Sequence, residues 1–170
     1  VADGIVLHGF WTRAYMDKVL MPAIDSGLAK AGRTRDDFTI TGGGFLITGA
    51  DEVELAANRE RVRYQVAFYG STPTYRPVWE AHDMGELGDR LHTLSVEKSP
   101  DRWQRMTSLI SDDVLDLFAV TAEPKDVGTA LLERNGDFAD RMTLPSLVGD
   151  PEVWANTIST LRNGGARSKR

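Results

Sequence analysis

The residues best suited to chemistry in this chain stand together near its start, in the run His8-Gly9-Phe10-Trp11-Thr12-Arg13. An imidazole with an ordinary pKa of about 6.5 can give or take a proton near neutral pH, which makes His8 the candidate for acid–base work. Gly9 lets the backbone approach a ligand, and Thr12 at a helix start leaves N–H groups suited to an anion. Arg13 adds a fork of donors, while Phe10 and Trp11 add aromatic walls. Ahead of this corner lies Ile5-Val6-Leu7, bounded by Asp3-Gly4 and His8-Gly9. Such a continuous apolar run is expected of a strand buried on both faces. In α/β folds ligands gather at the C-terminal ends of parallel strands, which is where the corner falls. The same residues would equally form a hydrogen-bonded, packed turn, and the residues alone leave both readings open.

Other chemistries have less support. His8, His82 and His92 show no ligand spacing, no His-Glu-x-x-His is present, and Asp112 and Asp113 after Ser111 read as helix capping. No metal is expected. No Gly-x-Ser-x-Gly elbow occurs, and a chain without cysteine has neither a thiol nucleophile nor a disulfide. Gly42-Gly43-Gly44 lies inside a strand pattern rather than in a strand-to-helix turn, so a bulge or close packing is expected there before a phosphate cradle.

The composition sets the frame for these residues. With 170 residues, 41% of them hydrophobic, and a net charge of −5, the chain has the makeup of one soluble domain with a real core. Mild acidity argues against nucleic acid or an anionic membrane as partner, and no apolar run nears the roughly 20 residues that span a bilayer. A cytoplasmic protein is expected. The chain begins inside a strand pattern, as a piece of something longer would.

The elements that position the corner follow βα grammar. After the first strand, Thr12 caps a helix with Met16, Val19, Leu20, Ala23 and Ile24 on one face, closed by Gly32; Pro22 inside it predicts a kink or break. Phe38–Thr41 and Phe45–Thr48 flank the three glycines as a second strand region. Asp51 and Glu54 form a capping box for a helix that buries Leu55, Val62, Val66 and Tyr69. Short helical segments are expected to about residue 118, with starts at Ser99-Pro100 and Ser111, and then a helix from Glu123-Pro124 to Asn135-Gly136. Arg141–Leu144 is the third strand. Asp150-Pro151 opens a last helix carrying Trp154, Ile158 and Leu161, and residues 163–170 read as a flexible basic tail. Ala2-Asp3-Gly4-Ile5-Val6-Leu7 and Ala139-Asp140-Arg141-Met142-Thr143-Leu144 echo one another, as equivalent strands of a parallel array would. Three strands are too few for a closed (β/α)8 barrel of about 250 residues.

The order of these motifs resembles the C-terminal part of the bacterial luciferase-like monooxygenase superfamily, and within it the branch that uses the deazaflavin coenzyme F420. The matching residues are Ala2-Asp3-Gly4-Ile5, Met21-Pro22-Ala23, Ala31-Gly32-Arg33 with Asp37-Phe38, Ser111-Asp112-Asp113, the segment from Val120 to Leu131 and Ala139-Asp140-Arg141. The most distinctive is Ala67-Phe68-Tyr69-Gly70-Ser71-Thr72-Pro73-Thr74-Tyr75. The resemblance implies an α/β fold that is the C-terminal portion of a (β/α)8 TIM barrel over residues 1–162, holding the last three of eight strands. It implies an oxidoreductase that transfers hydride between F420, or alternatively FMN, and an organic substrate. By position His8, Gly9, Thr12 and Arg13 inherit contact with the cofactor. Relatives acting on sugar phosphates carry phosphate-binding lysines where this chain is aligned to have Trp11 and Asp116, and neither an indole nor a carboxylate can take that part. Phe10, Trp11 and Phe118 therefore suggest an apolar or aromatic substrate. A half-barrel would expose sheet edges and apolar surface, so a homo-oligomer is expected of the chain by itself, as a non-catalytic assembly in the third reading.

Overall fold

The computed structural model describes residues 2–144 and 150–164. Among these, the strands are β1 (Gly4–Val6), β2 (Thr39–Gly42), β3 (Phe45–Ile47), β4 (Ala119–Thr121) and β5 (Arg141–Met142). Every pairing is parallel. One sheet has the order β1-β2-β5, with Gly4 opposite Thr39 and Thr41 opposite Arg141; the other pairs β3 with β4, Phe45 opposite Ala119. Helices fill the connections, which gives an α/β architecture built on parallel strands.

The strand region expected around the three glycines is divided by them. Gly43 and Gly44 have φ values of 155° and 150°, a region that disfavours side chains, and the chain changes sheets there. Residues before the break pair with β1 and β5, and residues after it pair with β4. The bulge expectation is thus met by a full break. Strand β4 is a correction to the sequence reading, which carried helix to residue 118 and had no strand behind it. Ala119-Val120-Thr121 is too short to announce itself and becomes extended by pairing with β3.

The helices expected from Thr12, Asp51 and Ser111 begin at those caps, whereas the one expected from Ser99-Pro100 begins only at Arg102, behind Asp101. Thr12 Oγ1 accepts from Tyr15 N–H at 3.2 Å and opens α1 (Arg13–Tyr15). A π-turn over Met16–Leu20 follows, and α2 (Met21–Lys30) continues the same rod. Pro22 lacks an N–H and cannot continue an ordinary ladder. The wider i→i−5 turn, in which Met21 N–H reaches Met16 O, absorbs the misfit just before the proline. Asp51 caps α3 (Glu52–Gly70) through Glu54 N–H at 2.8 Å, and Glu54 returns to Ala50 N–H rather than to its own cap residue. Val62, Val66 and Ala67 face inward from α3, with Leu55 and Tyr69 half-buried.

The excursion between β3 and β4 carries α4 (Arg76–Glu80), α5 (Gly85–Val96), α6 (Arg102–Ser108) and α7 (Asp112–Phe118). Ser111 caps α7 through Val114 N–H, as its sequence predicts. These helices enclose one apolar core around Trp79, Leu91, Met106, Leu115 and Phe118. A second core of Leu46, Val120, Val127, Leu131 and Trp154 joins β3 and β4 to α8 (Val127–Asn135) and α9 (Pro151–Gly164). A third, of Trp11, Met16, Ile40 and Phe138, lies under the first sheet. The expected tail from residue 163 falls mostly outside the described residues, with Asn163 and Gly164 still in α9.

Gly70 closes α3 against the indole of Trp79, whose Nε1–H donates to Gly70 O at 2.9 Å in the buried interior. A Cβ at Gly70 would collide with the Trp79 ring. Gly70→Ala is expected to lower unfolding free energy by about 1–3 kcal/mol in urea titrations, the usual cost of overfilling a core.

Candidate active site

Strand β1 leaves its sheet at the corner that the sequence singles out. Leu7 N–H makes a last bond to Thr41 O at 3.0 Å, and His8 then turns the chain away. Phe10 N–H donates to His8 Nδ1 at 3.1 Å, so the neutral ring carries its proton on Nε2. The His8 residue is exposed, and Gly9 beside it is half-buried against the Phe45 ring. Tyr75 stacks on the imidazole at 5.3 Å between centroids, with 26° between planes, and Tyr69 meets it edge-on at 4.6 Å. His8 therefore carries one N–H donor, on Nε2, in an exposed residue flanked by two aromatic rings.

The rings behind His8 lie inside the protein. Phe10 is 2% exposed and stacks on the fully buried Phe118 at 4.5 Å, in the helical core. Trp11, also 2% exposed, turns to the sheet side and donates from Nε1 to Gly43 O at 3.0 Å. Adjacent residues thus enter different cores, which pins the corner between the sheet and the helical excursion. Phe10 and Phe118 are brought together in the helical core, Trp11 is buried apart from them on the sheet side, and none of the three has an open face.

Thr12 and Arg13 are likewise engaged. Thr12 is wholly buried, and its hydroxyl both caps α1 and lies 2.7 Å from His82 Nε2. Arg13 bonds Asp17 through Nε at 3.0 Å and Asp137 through both terminal nitrogens at 2.9 and 2.5 Å. Its pKa is raised by the hydrogen bonds to Asp137 first and Asp17 next. An anion meets this guanidinium only by exchanging with two carboxylates. Asp116 lies 3.7 Å from Arg59 in a loose surface ion pair.

Four participants escape a reading of the sequence. Tyr69 and Tyr75 belong to a recognisable motif, but nothing in their spacing connects them with His8. His82 reaches Thr12 across 70 positions. Arg134 comes from α8 to lie over the Trp11 ring at 4.8 Å and donates to Leu117 O and Phe118 O at 2.9 and 3.1 Å. Burial, with the like charge of Arg13 second, pulls its pKa down to about 10. A positive charge over an indole face is attracted by the ring quadrupole, which offsets part of that desolvation.

His82 gives the corner a pH dependence. Burial lowers its pKa in the fold, the Lys18 charge adds to this, and Asp83 opposes it. The unfolded chain then holds more protons between the two pKa values, so stability rises with pH across that window. The contribution is present above the unfolded value of about 6.5 and is lost as pH falls through the depressed folded value. Chemical denaturation from pH 7.5 to 5 should show the wild type losing more stability than His82→Gln, and equal slopes would contradict this.

Among the described residues no three His, Asp or Glu side chains are grouped to hold a metal ion, and no helix is long and apolar enough to cross a membrane. The description "Luciferase-like monooxygenase" belongs to the family model that matches residues 1–141. An uncharacterized protein of Mycobacterium tuberculosis is 41% identical over 142 residues, covering 84% of this chain and 41% of that protein. A 5,10-methylenetetrahydromethanopterin reductase of Archaeoglobus fulgidus is 25% identical over 153 residues, covering 89% of this chain and 43% of the reductase. The solved coenzyme F420-dependent tetrahydromethanopterin reductase of Methanopyrus kandleri superimposes with a TM-score of 0.64 at 17% identity, over 94% of this chain and 44% of that one. The chain thus spans less than half the length of the relatives it matches. With parallel βα units and a family model matched over most of its length, the chain belongs to the luciferase-like monooxygenase family.

Proposed function

We propose that this chain is the C-terminal part of an oxidoreductase that transfers hydride between coenzyme F420 and an organic substrate. The observation that carries the reading is the exposed His8, with an N–H donor on Nε2, just past the end of a parallel strand, where this class of fold gathers ligands. The two reductase relatives act in its support, since the solved one bears F420 in its name.

The residues present fit such a group in part. His8 and Gly9 stand at the exposed lip of the corner and would meet the cofactor, whose bound form supplies hydride chemistry. Thr12 and Arg13 would serve from behind, the first by fixing the helix start and the second by fixing it to Asp137. Phe10, Trp11 and Phe118, expected from the sequence to line the substrate site, are buried in the cores and back the corner without facing a ligand. His8 Nε2–H would donate to an oxygen at the reacting centre and, on protonation of Nδ1, would give up its bond from Phe10. The remaining three-stranded sheet would be the last part of a barrel completed by further strands on the outer edge of β1.

Fluorescence titration of the purified chain with oxidised F420, and separately with FMN, tests the assignment. Saturable binding of F420, weakened about tenfold in His8→Ala by loss of roughly 1.4 kcal/mol, is expected. Preference for FMN would favour a flavin monooxygenase, and no binding of either would overturn the reading for this chain.

A specific observation also favours self-assembly. Val6 is 71% exposed on β1, whose outer edge has no strand partner among the described residues. An apolar residue on an open edge is a template for association. Sedimentation of the chain should show a dimer or larger species, reduced toward monomer by Val6→Lys; a wild-type monomer at all concentrations would refute it.

A further inference from the structure

We infer that Tyr69 and Tyr75 are positioning residues that hold the His8 imidazole in one orientation and one tautomer, with Nε2–H offered to an oxygen acceptor on a ligand. The inference rests on the reading of His8 as the donor of the site. It absorbs the motif Phe68-Tyr69-Gly70-Ser71-Thr72-Pro73-Thr74-Tyr75, to which the proposed activity otherwise assigns no part.

The two rings restrain different motions. Tyr75 covers one face of the imidazole at 26° and 5.3 Å, which opposes tilting. Tyr69 stands at 77° to it and 4.6 Å away, which opposes rotation of the ring in its own plane toward that side. The tyrosines also meet each other at 6.3 Å and 85°, and each leans on Phe10. The outermost support for His8 is therefore continuous with the buried core. Without it, an exposed imidazole on a turn would exchange rotamers and tautomers freely, and the bond from Phe10 N–H would be intermittent.

The segment carrying the tyrosines is itself fixed. Trp79 Nε1–H and the Ser71 hydroxyl bind Gly70 O and Phe68 O at 2.9 and 2.7 Å, and His92 Nδ1–H donates to Ser71 O at 3.1 Å. Tyr75 N–H closes the turn on Thr72 O at 2.9 Å, with Pro73 starting that turn. Pro73 fixes one backbone angle in advance. Among the described residues neither phenol oxygen has a hydrogen-bond partner, so the ring faces, not the hydroxyls, hold His8. Phenylalanine at position 75 should consequently do the same work.

Side-chain nitrogen NMR of the cofactor-free chain above pH 7.5 reads this directly. In the wild type, His8 should show two well-separated nitrogen shifts, Nδ1 unprotonated and Nε2 protonated, and carbon-bound ring protons moved upfield by the Tyr75 face. Tyr75→Phe should keep both signatures. Tyr75→Leu should bring the two nitrogen shifts together, as in an imidazole that exchanges tautomers, and remove the upfield displacement. Averaged nitrogen shifts in the wild type, or wild-type shifts retained in both folded Tyr75→Leu and Tyr69→Leu, would overturn the inference. Loss of the signature in Tyr75→Phe would also overturn it, by giving the role to the hydroxyl. If the leucine variants do not fold, the wild-type ring protons still decide, since without the upfield displacement Tyr75 does not cover the imidazole and the inference fails. Because no cofactor enters the measurement, a held His8 with no F420 binding would leave the positioning intact and remove only the functional reading.

Discussion

The bond from Trp11 Nε1 to Gly43 O is the contact on which the arrangement of the corner depends. It joins the first turn after β1 to the place where the second strand changes sheets, and it does so in the interior. A buried carbonyl without a donor costs about 1–3 kcal/mol, and the glycine break frees just such a carbonyl from ladder pairing. The indole satisfies it. With Trp11 thus fixed on the sheet side, Phe10 is directed to the helical side, and His8 is left at the surface between them. The positions of all three residues follow from one donor meeting one acceptor.

Arg134 adds an electrostatic condition to that geometry. A guanidinium held over the Trp11 ring, with two carbonyl oxygens as acceptors, ties the end of α7 to the corner. Arg13 nearby is neutralised by Asp17 and Asp137, so the two arginines have unlike roles despite their proximity. One is a solvated, fully paired ion on the rim. The other is a desolvated cation inside the fold.

Much of this was legible in the sequence, and the limits have physical causes. Ile5-Val6-Leu7, Thr12, Asp51 and Ser111 announce a strand and three helix starts because their signals are local, an apolar run or a side chain bonding three residues ahead. Pro22 announces a disturbance, but only the fold shows it displaced into a π-turn one step earlier. β4 is invisible because three ordinary residues take their form from a partner far along the chain. His8 and Gly9 are readable as an exposed corner, whereas the burial of Phe10, Trp11 and Phe118 depends on helices whose packing no spacing reveals. Tyr75, His82 and Arg134 reach the corner through tertiary contacts, for which a single sequence holds no periodic sign.

The pairing of the strands has a consequence for how the chain reaches its folded state. Gly4 lies against Thr39, Phe45 against Ala119 and Thr41 against Arg141, so no two strands are neighbours through a hairpin. Loop closure must precede every ladder, and chains dominated by such pairings fold slowly. The helices between β3 and β4 make short-range contacts and can assemble early, around Trp79 and Leu115. The Gly43–Gly44 break keeps the two short ladders apart, one bracketing the helical excursion and the other setting β5 beside β2. The same break that shapes the corner thus gives the strand residues on its two sides different partners, β1 and β5 before it and β4 after it.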